Sequence, residues 1–143
     1  MQAIRSFLIV LFMAVASTAV AQQTISISEL VNTKWRVENN WISDYKEYTL
    51  TEIIWKRKDG SFFKYPYYLT DTPVTSHDKS AFDYSKVGKT KKGSYIVCIN
   101  EKMGIVYCSS IESFDKTKGV FVTKLVTQGL IGSGGIDRYK LVK

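Results

Sequence analysis

The sequence has few of the residues on which catalytic and metal sites depend. Its 143 residues include one histidine, His77, and two cysteines, Cys98 and Cys108. A nucleophilic Ser-His-Asp or Cys-His arrangement would have to use His77, which lies in a predicted loop and is more typical of a solvated histidine. Two cysteines and one distant histidine are also the wrong set of ligands for a zinc site. We therefore expect no catalytic residues, no cofactor and no bound metal, and do not expect an enzyme.

Other signatures of catalysis or phosphate binding are also missing. Asp71, Asp78 and Asp83 are not paired at a spacing that indicates general acid–base catalysis, and they fit turns better. The glycine-rich segment 129–135 has neither the Lys-Ser/Thr nor the helix that follows a phosphate-binding loop. We expect this segment to be a flexible connection between two strands.

The first 21 residues have the features of a secretory signal peptide. Arg5 precedes an unbroken apolar run from Phe7 to Ala16, and Ala19-Val20-Ala21 forms a small-x-small cleavage site. The segment is too short for a membrane-spanning helix. The residue directly after the cleavage site is Gln22 rather than cysteine, so a lipid anchor is not expected. We expect export to the periplasm or the cell exterior, without a membrane span.

Residues 22–143 are long enough for one domain with its own core. The full chain carries a net charge of +7, and its lysines group at predicted turns. Solvated turns that protect strand edges explain this pattern, and weak attraction to anionic surfaces or polymers is the alternative. The chain has no recognisable nucleic-acid-binding motif, so no nucleic-acid partner is expected. Nothing in the sequence specifies an oligomeric state.

The rest of the chain has the pattern of a β protein. Ser26-Ile27-Ser28-Glu29 fits a capping box and predicts a single helical turn. No long helical pattern separates the strands, which excludes parallel strands joined by helical crossovers. We expect an all-β antiparallel meander, most consistent with an eight-stranded closed barrel, and a two-sheet sandwich is the alternative. The predicted strands, rich in β-branched and aromatic residues, are Lys34–Asn39, Tyr45–Arg57, Ser61–Thr70, Ala81–Val87, Ser94–Asn100, Ile105–Phe114, Val120–Thr127 and Ile136–Val142.

Aromatic residues are concentrated around the hairpin predicted at Asp59-Gly60. Asp59-Gly60 fits a two-residue type I′ turn, which would place Phe63 opposite Lys56. The aromatic side chains could form core, line an internal ligand cavity, or form an exposed binding platform. Glu52 would be awkward in a dry core and suits a rim or a wet cavity. The candidate ligand-lining residues are Tyr48, Glu52, Trp55, Phe63, Tyr65 and Tyr67, with Glu52 as the polar contact.

The spacing of the cysteines predicts a cross-strand disulfide. If Lys102-Met103-Gly104 is a three-residue hairpin loop, Cys98 lies directly opposite Cys108. Directly opposed residues are about 4.5–5.5 Å apart at Cα, within the range that a disulfide accepts. Export to an oxidising compartment favours the bond.

The two ends of the mature sequence resemble those of lipocalin-like domains. Leu30-Val31-Asn32-Thr33-Lys34-Trp35 resembles the entry of that barrel, although Thr33 stands where the family has glycine. Asp137-Arg138-Tyr139-Lys140 is similar to its last strand. The resemblance implies that Arg138 packs over the Trp35 ring and closes the barrel, a contact in which a guanidinium stacks on an indole.

Fold and composition together suggest binding rather than catalysis. The similarity is to small exported lipocalin-like proteins of bacteria, and it implies a non-catalytic binding protein for a small, partly apolar ligand. The alternative is a protein-interaction or inhibitor-type module with a filled core. Such a module would act through one of two rim loops, residues 71–80 or 128–135.

Overall fold

The structure is a computed structural model that describes residues 22–38 and 44–143. The predicted signal peptide, residues 1–21, lies outside the described residues, as does Asn39 at the end of the first predicted strand. A capping box forms as predicted: the Ser26 side chain accepts from the helix backbone, and Glu29 accepts from the Ser26 N–H. The helical turn α1 (Ile27–Leu30) follows.

Eight antiparallel strands close into a barrel, which confirms the predicted fold class. Backbone pairing of the last barrel strand with the first barrel strand closes it. Two further short strands, β1 (Ile25–Ser26) and β6 (Lys92–Gly93), pair with each other outside the barrel. The barrel strands are β2 (Thr33–Val37), β3 (Tyr45–Tyr48), β4 (Glu52–Lys56), β5 (Phe62–Thr70), β7 (Tyr95–Asn100), β8 (Ile105–Asp115), β9 (Val120–Leu125) and β10 (Ile136–Leu141).

The strand count is as predicted, but two strands differ in position. The predicted strand Tyr45–Arg57 is divided into β3 and β4, because the Thr49 hydroxyl accepts from the backbone N–H of Thr51 and Glu52 and forms a turn. The predicted strand Ala81–Val87 was wrong. The 3-10 helix Lys79–Ala81 ends at the first residue of that segment, and the 3-10 helix Tyr84–Lys86 lies within it.

Two aspartates explain why residues 81–87 do not form a strand. Asp78 accepts a hydrogen bond from the Ser80 N–H, and Asp83 accepts one from the Ser85 N–H. Each aspartate thereby caps a 3-10 helix. Hydrogen bonds from Ser80 hold the pKa of the Asp78 carboxyl below its usual value, and hydrogen bonds from the Ser85 hydroxyl and N–H do the same for Asp83. The expectation that these aspartates serve turns is confirmed.

Aromatic side chains fill the end of the barrel that lies next to α1, which we call the closed end. Leu30 of α1 is completely buried there. The ring of Trp35 lies 5.5 Å from that of Phe114 and 5.3 Å from that of Phe121, and Tyr48 packs edge-on against Tyr67. Tilted and edge-on rings at these separations are favourable packing. The opposite end, where the β4–β5, β7–β8 and β9–β10 connections lie, is the open end.

A second hydrophobic cluster lies outside the barrel. Residues 71–91, the covering segment, run over the outer face of β5, β7 and β8 and bury apolar side chains against it. Both faces of these strands are therefore apolar, which a strand needs when it is covered on both sides. The cluster comprises Tyr68, Phe82, Val97, Ile99, Val106 and Cys108, with Val74, Val87, Tyr95 and Val126 packed against it.

The β4–β5 hairpin has a longer loop than predicted. Arg57 and Ser61 are hydrogen-bonded across a three-residue loop in which Gly60 has a φ of +87°. A type I turn followed by a left-handed glycine is the usual form of such a loop. Phe63 therefore lies opposite Trp55 rather than Lys56, and Tyr65 lies opposite Ile53.

The predicted disulfide between Cys98 and Cys108 was wrong, because both thiols are free. The β7–β8 loop contains four residues, 101–104, rather than three, and this places Cys98 opposite Tyr107 and Cys108 opposite Val97. A one-residue change of register moves a side chain to the other face of the sheet. Cys98 consequently faces the barrel interior, while Cys108 is buried in the outer cluster.

Candidate functional site

A cavity of about 360 Å³ occupies the open half of the barrel. Its volume falls in the range of small-molecule sites, and its wall is mostly apolar with a few polar groups. The filled closed end forms its floor. The lining residues are Val37, Lys46, Ile53, Trp55, Tyr65, Cys98, Tyr107, Ser109, Leu125, Asp137 and Tyr139.

Strand geometry decides which residues reach the cavity. Lining residues occur two apart along a strand, as do Ile53 and Trp55 on β4 and Asp137 and Tyr139 on β10. Successive side chains of a strand point to opposite faces, so alternate residues face the interior. The cavity is thus a direct consequence of the barrel register.

Lys46 places a positive charge in the cavity wall between two aromatic rings. Its ammonium lies 4.7 Å from the centre of the Trp55 ring and 5.0 Å from that of Tyr139. It also donates a hydrogen bond of 2.9 Å to the Tyr139 hydroxyl oxygen. Ring faces carry partial negative charge, so this arrangement stabilises the ammonium and limits its movement.

The pKa of the Lys46 ammonium lies above its usual value. Burial by itself lowers the pKa of its ammonium, but Tyr139, Cys98 and Asp137 favour the protonated form, and the net effect is a raised pKa. The ion pairs of the described residues, which involve Lys34, Lys56 and Lys140, do not include Lys46. Lys46 therefore offers a cation to an incoming group.

The Trp55 ring is held in place by a buried carboxylate. The indole Nε1 donates a hydrogen bond of 2.7 Å to Asp44 Oδ2. Asp44 is buried, and a buried carboxylate requires such a partner. The hydrogen bond fixes the orientation of the ring that Lys46 contacts.

Cys98 contributes an uncharged thiol to the wall. Burial raises its pKa to about 11, which outweighs the opposite effect of the nearby Lys46 ammonium. Burial also raises the pKa of Cys108 to about 11, and the Val74 N–H donates a 3.4 Å hydrogen bond to its sulfur. A thiol with so high a pKa is a poor nucleophile at neutral pH.

The structure divides the predicted ligand-lining residues among four places. Trp55 and Tyr65 line the cavity. Tyr48 and Tyr67 belong to the core of the closed end, where the Tyr67 hydroxyl donates to the Thr49 carbonyl. The other two predicted residues, Phe63 and Glu52, lie elsewhere.

Phe63 lines a groove at the open end. Glu52 pairs with Pro66, on the face of the sheet opposite to Ile53 and Tyr65, and does not line the cavity. The three-residue loop explains both positions, since it decides which residues of β4 and β5 face inward.

Sequence reasoning missed most polar residues of the cavity, among them Lys46, Asp137 and Tyr139. Lys46 lies within a predicted strand, but the turn that divides this strand into β3 and β4 was not recognised. Its neighbours Tyr45 and Glu47 point to the opposite face, so the alternation of side chains along β3 could have indicated that Lys46 faces inward. No local signal identified Tyr139 as its partner, because the two residues are 93 positions apart.

Trp35 and Arg138, the predicted barrel-closing pair, lie on different faces. Trp35 is completely buried in the closed end, and its ring contacts are with Phe114 and Phe121. Arg138 is exposed and pairs with Val122, whereas the adjacent Tyr139 faces inward. The barrel is closed by the backbone pairing of β10 with β2.

His77 lies at the surface, where its ring joins the covering segment to the β9–β10 connection. It is exposed, and its Nδ1 lies 3.1 Å from the Gln128 carbonyl oxygen. Within residues 22–38 and 44–143, no cluster of three His, Cys, Asp or Glu side chains could hold a metal ion. No helix in the same part of the chain is long and apolar enough to cross a membrane.

These features define a class of protein: an eight-stranded antiparallel β-barrel, filled at one end and with a small cavity at the other. The architecture is consistent with a lipocalin-like fold. Comparison with known proteins finds no matching family model, no similar curated protein and no similar solved structure.

Proposed function

We propose that this protein is a non-catalytic, lipocalin-like binding protein for a small, partly apolar ligand that carries an anionic or strongly polar group. The observation that carries the proposal is the position of Lys46. Its ammonium lies in a mostly apolar cavity and forms no ion pair among the described residues, although the Asp137 carboxylate lines the same cavity. The ligand's polar group would pair with Lys46, and its apolar part would lie against Ile53, Tyr65 and Leu125.

The energetic balance of the site supports such a ligand. Charge-assisted hydrogen bonds are roughly twice as strong as neutral ones, so Lys46 would orient the ligand. The apolar wall would add affinity in proportion to the area removed from water. The alternative, an interaction module with a filled core, is less well supported because the open half contains a cavity.

The proposal includes export to the periplasm or the cell exterior. It rests on the composition of residues 1–21, with a positive start, an apolar run and a small-x-small site.

An amphipathic anionic dye, 8-anilinonaphthalene-1-sulfonate, can test the site. Wild type should bind the dye with a saturable rise in fluorescence. Lys46→Met should weaken binding by about tenfold to a hundredfold, which corresponds to the loss of a charge-assisted hydrogen bond. Lys46→Arg should retain most of the affinity, and Lys124→Met, an exposed lysine next to the lining residue Leu125, is the matched control.

A second variant tests the cavity independently of charge. Ser109 lines the cavity, so Ser109→Trp should fill part of it and reduce saturable binding. Equal affinities for Lys46→Met, Lys124→Met and wild type would contradict the proposal, as would unchanged binding by a folded Ser109→Trp. If the variants behave as expected, native mass spectrometry of protein purified from its own source would identify a co-purifying small molecule.

A further inference from the structure

Exposed apolar side chains collect at the open end of the barrel. Phe62 is 59% exposed and Met103 is 65% exposed, at the tips of two adjacent hairpins. The β9–β10 connection adds Ile131, which is fully exposed, and β10 begins with the exposed Ile136. Apolar groups of this size at one end of a protein usually mark an interaction surface.

The two hairpin tips form a groove next to the cavity. The groove has a volume of about 450 Å³ and lies between β5 and the β7–β8 loop. Tyr65 lines both the groove and the cavity, so the two spaces are adjacent at this residue. The groove is lined by Phe62, Phe63, Lys64, Tyr65, Asn100, Glu101, Lys102 and Met103.

Positive charges surround the apolar tips. The Arg57 guanidinium lies 5.4 Å from the centre of the Phe63 ring, and the Lys64 ammonium lies 6.0 Å from that of Phe62. The basic residues of the two tips are Lys56, Arg57, Lys58, Lys64 and Lys102, all exposed.

The two acidic residues of the same tips, Asp59 and Glu101, are outnumbered by these basic residues. Asp59 accepts hydrogen bonds from the Ser61 N–H and hydroxyl, and Glu101 accepts one from the Tyr84 hydroxyl. The tips therefore present cations next to exposed aromatic and apolar side chains, the combination that favours the interface of an anionic bilayer.

We propose that the open end docks on an anionic lipid bilayer. Phe62 and Met103 enter the boundary between headgroups and acyl chains, while Lys58 and Lys102 contact the anionic headgroups. A bilayer fits because both tips and the cavity mouth lie at the same end, so that one planar surface contacts them together. This docking does not depend on the proposed ligand. If both hold, a partly apolar ligand could pass between bilayer and cavity without crossing water.

Sedimentation with lipid vesicles tests the docking with the protein processed to residues 22–143. Wild type should bind vesicles of phosphatidylcholine with one third phosphatidylglycerol, and bind pure phosphatidylcholine much less. The double variant Lys58→Glu, Lys102→Glu should lose at least about tenfold in partition coefficient. The matched control is Lys116→Glu, Lys118→Glu, two exposed lysines in the β8–β9 loop at the closed end.

A second pair of variants tests insertion of the apolar tips. Phe62→Ser, Met103→Ser should weaken binding by at least about tenfold. Leu50→Ser, Val120→Ser, at exposed apolar sites of the closed end, should bind as wild type does.

Three outcomes would overturn the docking proposal. One is wild type that fails to sediment with anionic vesicles. Another is binding that the Lys58, Lys102 variant loses but the Phe62, Met103 variant retains, which would show charge attraction alone. The third is association of the protein into oligomers that the Phe62, Met103 variant abolishes without any vesicle binding. Dye binding in the cavity, measured on the same variants, reports the proposed function separately.

Discussion

The orientation of single side chains decides the chemistry of this barrel. Lys46 faces the cavity while Tyr45 and Glu47 do not, and Cys98 faces inward while Cys108 faces outward. In each case the next residue along the strand would have given a different site, because side chains alternate between the two faces. The cysteines show this most directly, because a change of one residue in the register of β7 and β8 decides whether Cys98 and Cys108 are opposed or lie on different faces.

At this scale we predict two slowly reacting thiols. Mass spectrometry after alkylation in denaturant should show two modified cysteines per chain. In the folded protein at pH 8, alkylation by iodoacetamide should be roughly a hundredfold slower than that of a model thiol, because burial raises the pKa of Cys98 and Cys108 to about 11. Cys98→Ser and Cys108→Ser separate the two rates. A chain lighter by two hydrogens, with no modification, would contradict this prediction.

At the scale of elements, two hairpin loops determine the register of half the barrel. Residues 58–60 form a three-residue loop and residues 101–104 a four-residue loop, each one residue longer than the sequence predicted. Asp-Gly and Met-Gly are compatible with either loop length, because glycine in the left-handed region ends both kinds of turn. The strands that flank these two loops were predictable from composition, whereas loop length, and with it the set of inward residues, was not.

A close backbone contact at β6 gives a prediction at the same scale. A Cβ atom at Gly93 would lie 2.5 Å from the Thr70 backbone nitrogen and 2.6 Å from the Thr70 carbonyl oxygen. Gly93→Ala should therefore displace β6 from β5 and lower the free energy of unfolding by about 1–3 kcal/mol. Lys92→Ala, an exposed neighbour on the same short strand, should change it by less than about 0.5 kcal/mol. Equal midpoints of urea denaturation for both variants would argue against the contact.

Across the whole molecule, the two hydrophobic clusters have different roles. The inner cluster fills the closed end and supports the cavity, and the outer cluster attaches the covering segment to β5, β7 and β8. The eight barrel strands leave no free edge with which another chain could pair, so we expect interactions with other molecules at the ends of the barrel. The open end combines the cavity, the groove and the exposed apolar tips.

Stability of the whole molecule should fall at alkaline pH. Burial raises the pKa of the Tyr48 and Tyr67 hydroxyls above the usual value, and raises the pKa of the Cys98 and Cys108 thiols to about 11. Because the unfolded chain releases these protons at ordinary pKa values, the folded state binds more protons at high pH. The stabilisation is complete below about pH 9 and decreases as the pH rises toward 11.

Thermal unfolding followed by circular dichroism between pH 7 and 11 measures this effect. The midpoint should be nearly constant up to about pH 8.5 and then decrease. Cys98→Ala, Cys108→Ala should show a smaller decrease between pH 9 and 10 than wild type, because only the tyrosines remain. A midpoint that stays constant to pH 11 would refute the prediction.

The sequence by itself determined the all-β class and the capping box before β2, because these depend on local composition and hydrogen bonding. The predicted count of eight strands agrees with the structure because one undivided strand and one wrong strand compensate. It also indicated Trp55 and Tyr65 as cavity residues. Only the tertiary structure decided the register of the hairpins, the packing of residues 71–91 on the outer face, and the pairing of Lys46 with Tyr139. Each of these depends on contacts between distant residues, and in a strand a shift of one position exchanges the inner and outer faces.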